Sequence, residues 1–416
     1  MRIDLLVAGG GAAGLMAAYM AAKSGCSVLL LEPGGRMGRK LLITGKGRCN
    51  VTNDCSEDEF LRNVPTNPKF LYSSIRGFSP SDAIAFFQEL GVPLKTERGK
   101  RVFPVSDCAS DIVDSLTSAC LAAGVCFEQA RVTAVLTEAA HVSGVRCEDS
   151  AGVEVEYRAD AVLLATGGAS YPNTGSTGDG YALARACGHM VTEIRPSLVP
   201  LVSQDECCAD MQGLSLRNVE LSLRDTEKAK PVFRELGEML FTHYGMSGPL
   251  VLSASAHIRP FVAGRWSVEL DLKPGLSQDQ LDERLLRDFS EYSNRDFCNS
   301  LEKLLPRKLI PIVIQRSEIP PFTKVHDLTR EQRKILVSLL KRFVIGVDGF
   351  RPVDEAIITS GGVSVKEVDP KTMESKLVPG LYFAGELLDL DAYTGGFNLQ
   401  IAWSTAVAAA RAVAAG

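Results

Sequence analysis

Three glycines at GxGxxG spacing, Gly9, Gly11 and Gly14, are the first residues of the chain whose types and positions imply a chemical task. The first permits a tight turn, the second lets a pyrophosphate approach the backbone, and the third lets a helix pack on a sheet. Ala12 and Ala13 fill the helix start, where free N–H groups attract phosphate. Glu32 stands 18 residues after Gly14, with Pro33 beside it. A carboxylate there accepts hydrogen bonds from both hydroxyls of an adenosine ribose and repels a 2′-phosphate, so NADP is disfavoured at this site.

Those residues need two strands and a helix to bring them to one ligand. Residues 3–8 form a short apolar run of strand length, residues 12–24 are Ala-rich at helical length, and Gly25 ends them. Residues 27–31 are a second apolar run, completing a βαβ unit. Further strands are expected at 125–128, 132–137, 142–148 and 154–157, and an apolar strand at 160–165 ends in Thr166, Gly167 and Gly168.

A loop of glycines and cations follows the ribose carboxylate. It holds Arg39, Lys40, Lys46 and Arg48, with Thr44, Gly45, Gly47, Cys49 and Asn50 among them. Fixed positive charge and glycine N–H groups suit a phosphate-containing ligand. Near the end, an apolar strand at 380–384 leads to Gly385 and Glu386, with Asp391 a few residues on. Gly396, Asn398, Leu399 and Gln400 then open a long Ala-rich helix. The positive end of that helix suits the pyrimidine edge of a reduced flavin. An NAD dehydrogenase has no need of such a return, so the expected cofactor is FAD, with NADH or NADPH as a transient electron donor.

Three side chains are candidates for proton transfer. His243, in the segment 241–245, could relay a proton near neutral pH. Tyr171 and Tyr393 lie close to cofactor motifs and could flank the ring or donate a proton. Each has a plainer alternative, a structural histidine or an aromatic packing wall. Cys49, beside Arg48, could be activated, but a redox dithiol would need Cys55, and a buried thiol is the simpler reading.

Five motifs carry a resemblance. They are the GxGxxG with Glu32, GRKLLITGKGRCNVTN at 38–53, ATGGASYPNTGSTGDGY at 165–181, FTHYGMSGP at 241–249, and GLYFAGELLDLDAYTGGFNLQIAWSTA at 380–406. Together they resemble the BaiN-like flavoproteins, a family of NAD(P)/FAD-dependent oxidoreductases that includes aminoacetone oxidase-like and dehydro-bile-acid reductase-like members. The resemblance implies an α/β fold in three parts. A Rossmann-like FAD domain spans 1–192 and 350–416, a β-barrel-like insert spans 193–276, and a helical subdomain at 277–349 returns to the barrel. It also implies FAD contacts at the motif positions named above, and a backbone contact to adenine at Val132.

Composition narrows the class. Apolar residues make up 45% and charged residues 23% of the 416, which excludes a disordered or membrane chain. The net charge of −5 gives no general pull toward nucleic acid. Eleven cysteines without repeated CxxC pairs argue against a metal site and for reduced thiols in the cytoplasm. No apolar run reaches the roughly 18 residues of a membrane span. Residues 295–345 are locally basic, with eleven Lys or Arg against five Asp or Glu.

The first reading is therefore an FAD oxidoreductase, monomer or homodimer, acting on a small organic substrate without a nucleic-acid partner. It reduces a conjugated C=C bond with NAD(P)H or oxidises an amine. The alternative is a flavin-bound protein that binds or modifies nucleic acid through the basic helical region.

Overall fold

The computed structural model describes residues 2–416. The chain divides into two compact units, one of the residues up to Ser197 with Pro352–Gly416, the other of Leu198–Arg351.

The first unit is built on a parallel sheet whose strands lie in the order Leu381–Phe383, Ala161–Leu164, Leu5–Ala8, Val28–Leu31 and Cys126–Glu128. The three central strands read AVLL, LLVA and VLLL, and every residue in them is buried. Unbroken apolar runs of this kind belong to strands covered on both faces. Ala12–Lys23 and the C-terminal helix Phe397–Ala415 pack against each other in this unit. Trp403, fully buried in the second helix, donates its indole N–H to the Val51 carbonyl at 2.9 Å. The meander expected after residue 130 is present as Ala130–Glu138, His141–Asp149 and Glu154–Arg158.

One histidine of this unit ties the sheet to its edge. His189 is buried against the Phe383 ring, its Nε2 2.8 Å from Ser375 Oγ and its Nδ1 3.4 Å from Glu367. Burial pushes its pKa below the ordinary 6.5, only partly opposed by Glu367. The unfolded chain therefore takes up a proton before the folded one does. Stability is complete above about pH 6.5 and falls as pH drops through the lower folded value. Chemical denaturation from pH 7.5 to pH 5 is expected to show this loss, and His189→Gln to flatten it.

The second unit holds a seven-stranded antiparallel sheet in the order Phe343–Val347, Trp266–Asp271, Ser215–Asp225, Phe233–Thr242, Gly245–Ser247, Leu201–Val202 and Gly349–Phe350. The helices Gln278–Glu291, Ile310–Ser317 and Arg330–Lys341 belong to the same unit. Apolar spacing over 295–305 predicts a helix, yet the structure has only the 3-10 turn Phe297–Asn299 there. Its backbone is claimed by a neighbouring loop, with Phe297 N–H donating to Thr323 O and Cys298 N–H to Pro321 O.

Candidate functional site

The glycine turn leaves the sheet at Gly9 and enters the helix at Ala12. A Cβ on Gly14 would lie 1.8 Å from the Gly9 carbonyl oxygen, so only glycine fits. A Cβ on Gly11 would meet no protein atom within 4 Å. The space it faces is a cleft of about 1070 Å3, part of it open to solvent.

Glu32 lines this cleft with both carboxylate oxygens already oriented. Oε2 accepts from Gly10 N–H at 2.7 Å and Oε1 from Gly34 N–H at 2.9 Å. Each oxygen keeps a lone pair for a ribose hydroxyl. A smaller cavity of about 430 Å3 shares Gly9, Glu32, Thr166 and Gly175 with the cleft and adds Pro33 and Val132.

A polar cluster joins distant parts of the chain in the cleft wall. Lys40 Nζ donates to Glu386 Oε2 at 2.6 Å and to Ser170 Oγ at 2.7 Å. Glu386 Oε1 accepts from Thr359 N–H at 2.9 Å and Ser170 Oγ at 3.1 Å. Thr359 Oγ1 accepts from the amides of Ala169 and Ser170. Thr359 carried no sequence signal, since it lies outside every motif, and Ser170 sits within the 165–181 motif without a feature that sets it apart.

Of the expected site residues, Gly9, Gly11, Ala12, Ala13, Glu32, Arg39, Lys40, Thr44, Thr166, Gly167, Gly385, Glu386, Asn398 and Leu399 line the cleft. Sequence reading missed Arg36, Ser176, Ile358 and Ile401, which line it too. Arg39 donates to the Asn173 carbonyl.

Other expected residues act around the cleft. Gly45, Lys46, Gly47 and Cys49 all have positive φ, giving the loop its tight path. Arg48 turns to Glu97 and Asp107 and stacks on Phe103, with 4.1 Å to the ring centre. Cys49 is fully buried, and burial pushes its thiol up to about 12. Cys55 is pushed to about 11 by the same cause, so no thiolate is available there at neutral pH. Gly168 packs against Thr359, where a Cβ would come within 2.5 Å of Oγ1.

At the C-terminal end, Gly396 has φ +96 and a Cβ there would lie 2.4 Å from the Thr52 backbone. Gln400 is buried and bridges Thr52 Oγ1 at 2.6 Å to the Phe78 carbonyl at 3.0 Å. Asn398 braces the preceding loop, accepting from Ala392 N–H and donating to Ala392 O, both at 2.8 Å. Asp391 is buried and accepts from Ser197 Oγ at 2.7 Å and Ser360 Oγ at 3.3 Å.

The proton-transfer candidates are more dispersed. Tyr171 starts the turn Pro172–Thr174 with φ +54, and the Tyr393 backbone N–H donates to Asn63 O. Neither lines the cleft. His243 lies exposed in the turn after Phe233–Thr242, in the second unit, with its ring edge-on to Tyr244 at 4.9 Å.

FAD fits the residues present. The glycine turn faces an open cleft at a helix start, Glu32 is pre-oriented, and Thr166 Oγ1, of a cleft-lining residue, is buried without a hydrogen-bond partner among the described residues. Buried polar atoms normally have a partner, so an orphaned one on a cleft-lining residue calls for a bound group or water there.

The basic stretch at 295–345 is less charged in space than in sequence. Lys303, Arg316, Arg333, Lys341 and Arg342 pair with Glu291, Asp205, Asp282, Asp271 and Glu269, acids that lie outside the stretch. Lys324 pairs with Asp296 within it. Among the described residues, no helix is long and apolar enough to cross a membrane, and no group of three or more His, Cys, Asp or Glu is placed to hold a metal ion.

A parallel-sheet nucleotide unit with this cleft defines an FAD-dependent oxidoreductase. The chain belongs to the HI0933-like protein Rossmann domain family, whose model matches residues 3–412. It is 32% identical over 412 residues to a ribosomal RNA dihydrouridine synthase of Escherichia coli, covering 99% of this chain and 98% of that protein. It is 31% identical over 421 residues to a 3-dehydro-bile acid delta(4,6)-reductase of Clostridium scindens, covering 99% of each. Its fold matches 3-ketosteroid delta1-dehydrogenase from Sterolibacterium denitrificans with a TM-score of 0.55 at 14% identity, over 100% of this chain and 99% of that one.

Proposed function

We propose that this protein reduces a carbon–carbon double bond conjugated with a carbonyl, using NADH or NADPH, and that the bond lies in a uridine of ribosomal RNA. The full-length similarity to a ribosomal RNA dihydrouridine synthase carries the reading. Dihydrouridine is uridine with two hydrogens added across a ring C=C bond next to a carbonyl. The same bond type occurs in a 3-dehydro delta(4,6) bile acid, the substrate class named for the other relative. A free steroid-like enone is accordingly the second reading, favoured by the ion pairs that neutralise the 295–345 stretch.

A bound reduced flavin supplies the hydride for such a bond. The chain's own residues then hold the cofactor and supply a proton to the neighbouring carbon. Glu32 holds the adenosine ribose, Val132 borders the adenine, and Lys40 with Glu386 fixes the cleft wall. Tyr171, Tyr393 and His243 are the candidate proton donors. Tyr171→Phe, Tyr393→Phe and His243→Gln should single out the donor. Its variant is expected to turn over roughly 100-fold more slowly, with flavin reduction by NAD(P)H unchanged. Equal turnover in all three would eliminate these candidates.

The substrate is tested by anaerobic reduction of the yellow protein with NADH or NADPH, followed by reoxidation. Reoxidation by an unmodified ribosomal RNA transcript, with one uridine gaining two hydrogens in its mass spectrum, supports the first reading. Reoxidation by a steroid enone alone supports the second. If only an amine reduces the oxidised flavin, and neither acceptor reoxidises the reduced form, both readings fail.

A further inference from the structure

The smaller cavity beside the glycine turn has two walls from separate parts of the chain. Arg131 and Val132 come from the strand Ala130–Glu138, and Thr177 and Asp179 from the segment that opens the helix Asp179–Ala186. Arg131 Nη1 reaches across to Asp179 Oδ2 at 2.9 Å. Both side chains line the cavity, yet they are 51% and 39% exposed. The pair therefore stands on the solvent side of the cavity and bridges its walls. Among the described residues it shares no hydrogen bond with the polar cluster of the cleft wall.

We infer that the Arg131–Asp179 ion pair is a salt-sensitive clasp over the adenosine half of FAD. This rests on the placement of that half beside Glu32 and Val132. With the pair formed, the walls are held together and the adenosine leaves only when the pair opens. With it broken, that half is free to swing out, and the flavin half is left to hold the cofactor alone. Because both charges face water, added salt screens their attraction and loosens the clasp.

FAD dissociation from the holoenzyme tests the clasp. At low salt, Arg131→Ala, Asp179→Asn and the double variant are each expected to release FAD about fivefold faster than the parent. The double variant should be no faster than either single one, because one interaction is removed in all three. The parent should speed up toward the variants as salt rises, while the variants stay nearly flat. The melting temperature of the apoprotein should not change, which separates a clasp from a merely structural pair.

Parent-like release from the double variant at low salt would overturn the inference. So would a matching fall in apoprotein stability. Glu32→Ala checks the placement separately. If it retains FAD as the parent does, the adenosine lies elsewhere, and this holds whether or not the protein proves to reduce an enone.

Discussion

Gly14→Ala is expected to give a protein that is colourless after purification and melts well below the parent. The added methyl would lie 1.8 Å from the Gly9 carbonyl oxygen and 3.0 Å from its carbon. Both are backbone atoms, so no side-chain rotation relieves the clash. Helix and turn must separate, and the first two N–H groups of the anion-binding helix move with them. Overpacking of this severity costs at least ~3 kcal/mol. In a unit of this size that corresponds to a melting point lower by about 6–12 °C. Flavin absorbance after gel filtration and a thermal melt measure the two effects. Gly11→Ala makes the contrast. Its methyl meets no protein atom, so the apoprotein should melt as the parent does while FAD binds at least roughly tenfold more weakly, because only the ligand is displaced. A Gly14→Ala protein that stays yellow and stable would contradict the packing described for the turn.

The second large effect is expected at Lys40 and Glu386. Their side chains are 22% and 16% exposed, so each charge is held mostly away from water. Glu386→Gln leaves the Lys40 ammonium with Ser170 as its remaining partner. Lys40→Met leaves the Glu386 carboxylate with only the Thr359 amide and Ser170 hydroxyl. Each single change should cost about 2–3 kcal/mol, between a surface pair and a fully buried one. The double change, Lys40→Met with Glu386→Gln, should cost less than the sum by at least ~1 kcal/mol. Because both residues line the cleft, FAD affinity should fall in parallel. Denaturant melts and flavin-fluorescence titrations measure the cycle. Additive single effects would mean that the two side chains do not act as a unit.

The sequence was most readable where the physics is local. The turn at Gly9–Gly14 is defined within six residues, and the central strands declare themselves by composition alone. Pairings across long separations were not readable. Lys40 and Glu386 lie 346 residues apart, and nothing in the loop at 38–53 says which cation finds a carboxylate. Arg48 looked as available to a phosphate as Lys40 did, yet Glu97 and Asp107 engage it. The basic stretch at 295–345 misled in the same way, since most of its neutralising acids come from outside the window. At 295–305 apolar spacing suggested a helix, but backbone groups of a loop more than twenty residues away bonded there first.

The parallel sheet has a bearing on how the protein is made. Its edge strand Leu381–Phe383 pairs with Ala161–Leu164, which is complete more than two hundred residues earlier in synthesis. Until Leu381–Phe383 emerges, Ala161–Leu164 presents an unpaired, wholly apolar edge, the kind that invites association with other chains. Gly385, Glu386, Asn398 and Leu399 follow closely behind Leu381–Phe383. Cofactor capture is thus a late event, able to finish only once residues 385–399 have emerged. A nascent chain stalled before residue 380 carries both the hazard of the open edge and half a cleft.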